Sequence, residues 1–343
     1  MRITNYFLLV LLGSFCFGGA VCRAQDDAGY VVEEQGRSTW RAMFDTTFPT
    51  SAEQWEYARE TQNKGQLKKA DRRMLYLVRR WPNAMEAPWA QRARADMLYA
   101  KGQLKEAFKA YQYLIDNYSS RMRDYDSVLE SQFSIATALM NQKHMRWLFG
   151  GYRTPEYAVD YFEDVIRNGP QGKRAPEAQF LIGQAYQEAE NLEMAISAYG
   201  VLGYRYPGSP FAEDAAWQQI NCLDQLRQDY PNSRDILDRT LIATTVFLST
   251  YPTAQHKNDI INLRNTLYEL KAQQAFDEAA FYAKVPKKPT SAILYYRKMI
   301  EEYPKSILVP TAEKRIAELE ALMAAGTALQ KTILEKEATH VDQ

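Results

Sequence analysis

The chain has 343 residues, 46% of them apolar and 24% charged, which gives ample apolar surface for a core and argues against disorder outside the ends. Lys plus Arg equals Asp plus Glu at 42 each, and no block of like charge marks a nucleic-acid track or a polybasic membrane patch.

The amino terminus reads as a secretory signal over residues 1–24. Met1-Arg2 is a short positive start, Tyr6 to Phe17 is almost wholly apolar, and Gly18 to Ala24 is rich in small residues. The apolar run is too short for a bilayer-spanning helix. Two processing routes are open: cleavage after Ala24 leaves a soluble exported chain, and cleavage before Cys22 allows that cysteine to be acylated. Cys16, inside the apolar run, is a poorer acceptor. At most Cys22 and Cys222 survive either cleavage, so packing rather than disulfides must hold an exported chain. Residues 25–50 form a polar lead-in whose Trp40, Phe44 and Phe48 cap the first repeat or dock a partner.

From residue 51 one spacing recurs: a small residue followed twelve positions later by proline. Ala70 precedes Pro82, Ala158 precedes Pro170, Ala195 precedes Pro207 and Ala292 precedes Pro304. Two copies are degenerate, with Ser119 in the proline place after Ala107 and Thr240 in the alanine place before Pro252. Four residues beyond each small position stand Met74, Tyr111, Phe162, Tyr199, Thr244 and Tyr296, mostly large and aromatic. Positions i and i+4 share a helix face, so the small residue admits a neighbouring helix and the large one fills the space beside it. Proline then ends the helix. Intervals of 37, 51, 37, 45 and 52 residues between the small positions fall in the solenoid range once insertions are allowed for. Twelve residues before four of them stand Ala58, Ala95, Gly183 and Ala280, the small residue of a first helix.

This small-small-aromatic-proline skeleton resembles the tetratricopeptide repeat. The expected fold is all-α, a right-handed superhelical solenoid of about six helix hairpins with a C-terminal capping helix. The first two repeats, about Ser51–Asn83 and Glu86–Ser120, share the turn words Gly65-Gln66-Leu67 and Gly102-Gln103-Leu104. The third has a first helix over Leu129–Gln142 and a second starting near Pro155, separated by an apolar, glycine-bearing insertion whose Arg146, Trp147 and Phe149 contact a partner or plug a gap in the stack. The fourth, about Arg174–Ser209, is the best formed. In the fifth, about Phe211–Ala254, the second helix is expected to be lengthened by Leu223–Asp238. The sixth, about Lys257–Ser306, has its turn at Pro286 and Pro289. Residues 307–337 form the cap, with Ile316, Leu319, Met323 and Ile333 on one face. The domain division is 51–169 and 170–306, between lead-in and cap.

From about residue 170 the resemblance sharpens. The run from Ala195 through Tyr206-Pro207-Gly208-Ser209, then Phe247 to Ala254, Ala279-Ala280-Phe281-Tyr282, and Ala292 to Tyr303-Pro304-Lys305-Ser306 is similar to the barrel-assembly lipoprotein family BamD. That resemblance implies a periplasm-facing scaffold at the outer membrane, lipid-anchored through Cys22 if acylated and otherwise periplasmic, which contacts the barrel-assembly channel protein and incoming unfolded barrel chains. The alternative is a general periplasmic repeat adaptor for envelope or division proteins.

The motifs of chemistry are missing. His144, His256 and His340 pair with no other histidine or cysteine at ligand spacing, no Gly-x-Ser-x-Gly elbow occurs, and Gly169 to Arg174 lacks the pattern of a phosphate loop. The expectation is no enzyme, no cofactor, no metal and no nucleic-acid partner. Tyr204 and Tyr295 are read as phenols that face a binding groove.

Overall fold

The computed structural model describes residues 48–142, 144–145, 151–152, 154–284 and 289–341. The signal segment with Cys16 and Cys22, the lead-in to residue 47 with Trp40 and Phe44, and Arg146, Trp147, Phe149 and Pro286 lie outside the described residues. So do the side chains of Ile333 and His340.

Thirteen α-helices run in chain order through the described residues: α1 Ser51–Asn63, α2 Leu67–Arg80, α3 Ala87–Ala100, α4 Leu104–Tyr118, α5 Tyr125–Met140, α6 Val159–Asn168, α7 Ala175–Glu188, α8 Leu192–Arg205, α9 Ala212–Asp229, α10 Arg234–Thr250, α11 Lys257–Lys284, α12 Pro289–Glu302 and α13 Val309–Val341. Consecutive helices pair as hairpins, as expected of an all-α tetratricopeptide fold. Between α5 and α6 the insertion is a small antiparallel hairpin, β1 His144–Met145 paired with β2 Gly151–Tyr152, followed by a 3-10 turn over Pro155–Ala158. The chain divides into two compact units, one ending at Gln91 and one starting at Arg92.

All twelve ruler positions are buried. The six small residues Ala70, Ala107, Ala158, Ala195, Thr240 and Ala292 are wholly covered, and so are the six residues four places on, from Met74 to Tyr296. Threonine is tolerated in the alanine place at 240 and in the large place at 244 because both hydroxyls donate to carbonyls of their own helix, Thr240 to Ile236 at 2.6 Å and Thr244 to Leu241 at 2.8 Å.

The proline stop, preceded by an aromatic residue in four repeats and by Gly169 in the third, acts the same way in five. Each second helix stops two residues before its proline, at Arg80, Asn168, Arg205, Thr250 and Glu302. The residue before the proline still donates to the carbonyl four back, for example Trp81 N to Leu77 O at 2.9 Å and Tyr206 N to Leu202 O at 2.8 Å. Its own carbonyl then accepts from the residue three on, as Tyr206 does from Ser209 and Tyr303 from Ser306, both at 3.0 Å, and that turn starts the next helix. After α4, where Ser119 replaces proline, the chain runs on into a 3-10 turn, Ser119–Arg121.

The turns inside the repeats need a left-handed residue. Gly65 and Gly102 have φ of 73° and 72°, and Glu190 occupies the same place at 60°. The following amide bonds five residues back in each case: Gln66 to Thr61 at 3.1 Å, Gln103 to Leu98 at 3.0 Å and Asn191 to Tyr186 at 2.9 Å.

Three expectations are corrected. In the fifth repeat it is the first helix, α9, that is lengthened, because Tyr230-Pro231-Asn232-Ser233 forms the turn within the hairpin and Ser233 caps α10 by accepting from Ile236 N at 3.4 Å. In the sixth, the fully buried small residue in the last turns of α11 is Ala279, not Ala280, which is only partly covered. The α11–α12 connection is one residue longer than in the fourth repeat, which shifts the packed position back by one. Finally, α13 joins the core through Ala312, Ile316 and Leu319 and pairs Glu320 with Arg297 of α12 at 2.8 Å, whereas Met323 is exposed.

Candidate protein-interaction surfaces

A groove of about 470 Å³ lies between α6 and α8, floored by α7. The small side chains Ser197 and Ala198 on α8 keep it open, and Ile166, Ile182, Met194 and Val201 make its surface apolar. The carboxy-terminal ends of α6 and α8 are tied together by Tyr206, whose hydroxyl donates to the Pro170 carbonyl at 3.0 Å. Arg167 and Arg205 therefore stand at one end of the groove, and Glu163 and Met194 line it towards the other. From Met194 to Arg205 the groove follows α8 for about 16 Å, the length of roughly five extended residues.

A second cleft, of about 510 Å³, lies where the start of α10 meets the end of α11. Asn232 and Arg234 face Gln274, Asp277, Glu278, Phe281 and Tyr282 across it. Arg234 approaches Glu278 at 3.7 Å. Phe281 is mostly exposed, and Tyr282 stacks on Tyr295 with centroids 4.3 Å apart and planes at 12°. The hydrogen bond between those two phenols raises the Tyr295 pKa.

Of the sequence-singled residues, Tyr295 thus stands beside the second cleft. Tyr204 is almost fully exposed on α8 but lies off the groove, outside the stripe of Met194, Ser197, Val201 and Arg205. Gly183, in the core of α7, lies against the Tyr199 ring, whose hydroxyl donates to Gln187 Oε1 at 2.8 Å. Phe48 packs on Tyr57 at 5.0 Å. His256 stacks on Trp217 at 4.0 Å. Among the described residues no group of His, Cys, Asp and Glu is arranged to hold a metal. Burial pushes the Cys222 thiol up to about 11, which keeps it protonated.

The repeats also share a glutamine that the ruler does not include. It stands four residues before the small position of the first helix, in Gln54/Ala58, Gln91/Ala95, Gln132/Ala136 and Gln179/Gly183, and all four glutamines are buried. Gln54 Nε2 donates to the Arg73 carbonyl at 3.3 Å and Gln179 Nε2 to the Ala198 carbonyl at 3.0 Å, both nineteen residues along, so the amide closes its hairpin on a spare backbone lone pair. In the third repeat, where the insertion displaces the register, Gln132 instead bonds Gln112 at 2.9 Å and accepts from Asn168 at 2.9 Å. A Gln-x-x-x-small word in the first four first helices was the available signal.

Ion pairs join neighbouring hairpins. Arg174 grips Glu130 at 2.8 and 2.5 Å and lies over the Phe133 ring, and Arg239 grips Glu193 at 2.9 and 2.8 Å. These hydrogen bonds hold the Glu130 and Glu193 carboxyls below their ordinary pKa.

Residues 172–338 match the family model described as YfiO, outer membrane lipoprotein, the family of BamD. No curated protein matches the chain. Among solved structures, the chain is similar to a tetratricopeptide repeat protein from Parabacteroides merdae, at 14% identity, covering 78% of this chain and 98% of that one with a TM-score of 0.29. It is also similar to the C-terminal part of a TPR repeat-containing protein from Cytophaga hutchinsonii, at 14% identity, 78% and 88% coverage and a TM-score of 0.32. No described helix is long and apolar enough to cross a membrane.

Proposed function

We propose that this tetratricopeptide-repeat protein, which resembles BamD, is an exported cell-envelope scaffold without catalytic activity that binds protein partners during outer-membrane β-barrel assembly. The match of residues 172–338 to an outer-membrane lipoprotein family carries the reading. The groove between α6 and α8 suits an extended segment of an unfolded chain, with apolar side chains over Ile166, Ile182 and Val201 and an acidic group at Arg167 and Arg205. The second cleft, with Phe281, Tyr282 and Tyr295, offers a folded partner an aromatic anchor. Cys22 is the proposed point of acylation, which the mass of the mature amino terminus reads directly.

Depletion of the protein tests the role. Outer-membrane barrel proteins are expected to fall while other envelope proteins persist, and unchanged barrel levels with loss of another envelope assembly would move the protein to the general adaptor reading. Capture from solubilised membranes should recover an outer-membrane channel protein, and replacing Arg167 and Arg205 by Glu should release unfolded barrel segments without unfolding the repeats.

A further inference from the structure

The repeats share a ruler but not a charge. Helix α2, the second helix of the first repeat, carries six basic residues and one acidic, a net charge of +5, whereas the other five second helices carry between −2 and 0. The basic residues are spread along the sequence among apolar ones, so no block of charge is visible there. The helix brings them together. At 100° per residue Lys68, Arg79 and Arg72 fall within one narrow stripe, Leu75 borders it on one side and Tyr76, Lys69 and Arg80 follow on the other, while Arg73 is buried over the Tyr57 ring. Lys68, Arg72, Arg79 and Arg80 are exposed, while the opposite stripe of Ala70, Met74, Leu77 and Val78 is buried.

We propose that the exposed face of α2 lies on an anionic phospholipid surface. A stripe of cations suits a diffuse sheet of phosphates, and neither cleft described above is lined by α2. The aromatic border points the same way. Arg80 lies 5.9 Å over the Trp81 ring, which meets Tyr76 edge-on at 6.0 Å, and Trp and Tyr favour the zone between headgroups and water. This contact is independent of which protein the repeats hold and of whether Cys22 is acylated.

The test is co-sedimentation of the chain starting at Gln25, which lacks the acylation position, with phosphatidylcholine vesicles with and without phosphatidylglycerol. Binding is expected only with phosphatidylglycerol, and raised salt should weaken it. Each charge removed should lower the partition by about fivefold, so Lys68→Gln with Arg72→Gln and Arg80→Gln should lower it by about a hundredfold. The same change at Arg297, Lys298 and Lys314 should leave binding intact, and circular dichroism confirms that both triple variants are folded. Equal binding to pure phosphatidylcholine, no binding to either vesicle, or an α2 triple variant that binds like the parent would overturn the proposal. Capture of an acidic protein through this face with no vesicle binding would do so too.

Discussion

Gly183→Ala puts the packing argument at its sharpest, because helix propensity and close packing predict opposite signs. In a helix interior alanine is favoured over glycine by about 1 kcal/mol. A Cβ at Gly183, however, would lie 2.4 to 2.8 Å from three ring atoms of Tyr199. That ring is buried, held by its hydroxyl on Gln187 at 2.8 Å and backed by Phe180 with centroids 5.6 Å apart, so it cannot swing aside freely. Overpacking of this kind costs about 1–3 kcal/mol, and displacing the ring loses a hydrogen bond worth about 0.5–1.5 kcal/mol. Tyr111 shows one escape, its hydroxyl donating to Asp96 at 2.5 Å, where the fourth repeat has Gln184. A shift of Tyr199 onto Gln184 would recover part of the loss. The net expectation is a destabilisation of about 1–2 kcal/mol. Gly203→Ala on α8 is the internal control, since nothing lies within 4 Å of its Cβ position, and it should stabilise by up to about 1 kcal/mol. Urea melts followed by far-UV circular dichroism compare the two midpoints. If both substitutions move the midpoint upward, the contact between α7 and α8 is not the one described.

Glu190→Gly relieves a left-handed backbone at the α7–α8 turn and should stabilise by about 0.5–1 kcal/mol, less than the full strain because glycine is freer when unfolded; a lower melting midpoint contradicts it. Glu130 and Glu193 have lowered folded pKa values, so their stabilisation is present above the ordinary carboxylate range and is lost as pH falls through the folded pKa. Both side chains are about half exposed, and screening limits each pair to roughly 0.5 kcal/mol. Replacing both by glutamine should therefore flatten the acid limb of a stability-against-pH curve, and an unchanged limb would refute the pairing. Cys222, with its thiol pushed up to about 11 and fully buried, should resist iodoacetamide at neutral pH and react once the chain is unfolded in urea, as mass spectrometry would read.

The hairpin stack was legible because most copies of the ruler set the same residue types against the same helix contact: a covered alanine, a ring four places on, a proline to stop. What escaped the sequence did so for physical reasons. Tyr230-Pro231-Asn232-Ser233 uses the same word as the turns between repeats, but here it closes a hairpin, so the long helix was assigned to the wrong side of it. Counting back twelve residues from Ala292 crosses a longer connection and lands on Ala280, one place past the packed Ala279. Glu190 stands where glycine serves in two other repeats, and only its φ reveals the shared turn. The groove between α6 and α8 depends on small residues at 197 and 198 meeting the flank of another repeat, a relation between chain segments that no single spacing records. Cys22 and the insertion residues Arg146, Trp147 and Phe149 lie outside the described residues, and their roles remain proposals to be tested by mass measurement and substitution.

Beyond Glu320, whose carboxylate accepts from Arg297 at 2.8 Å, the side chains described to Leu329 are exposed. The 21 residues from there to the helix end at Val341 extend for about 32 Å, comparable to the thickness of a small domain. Such a cantilever turns a few degrees of play at its root into ångströms of travel at its tip, so a molecule that seized the tip would hold the array on a long, steerable boom.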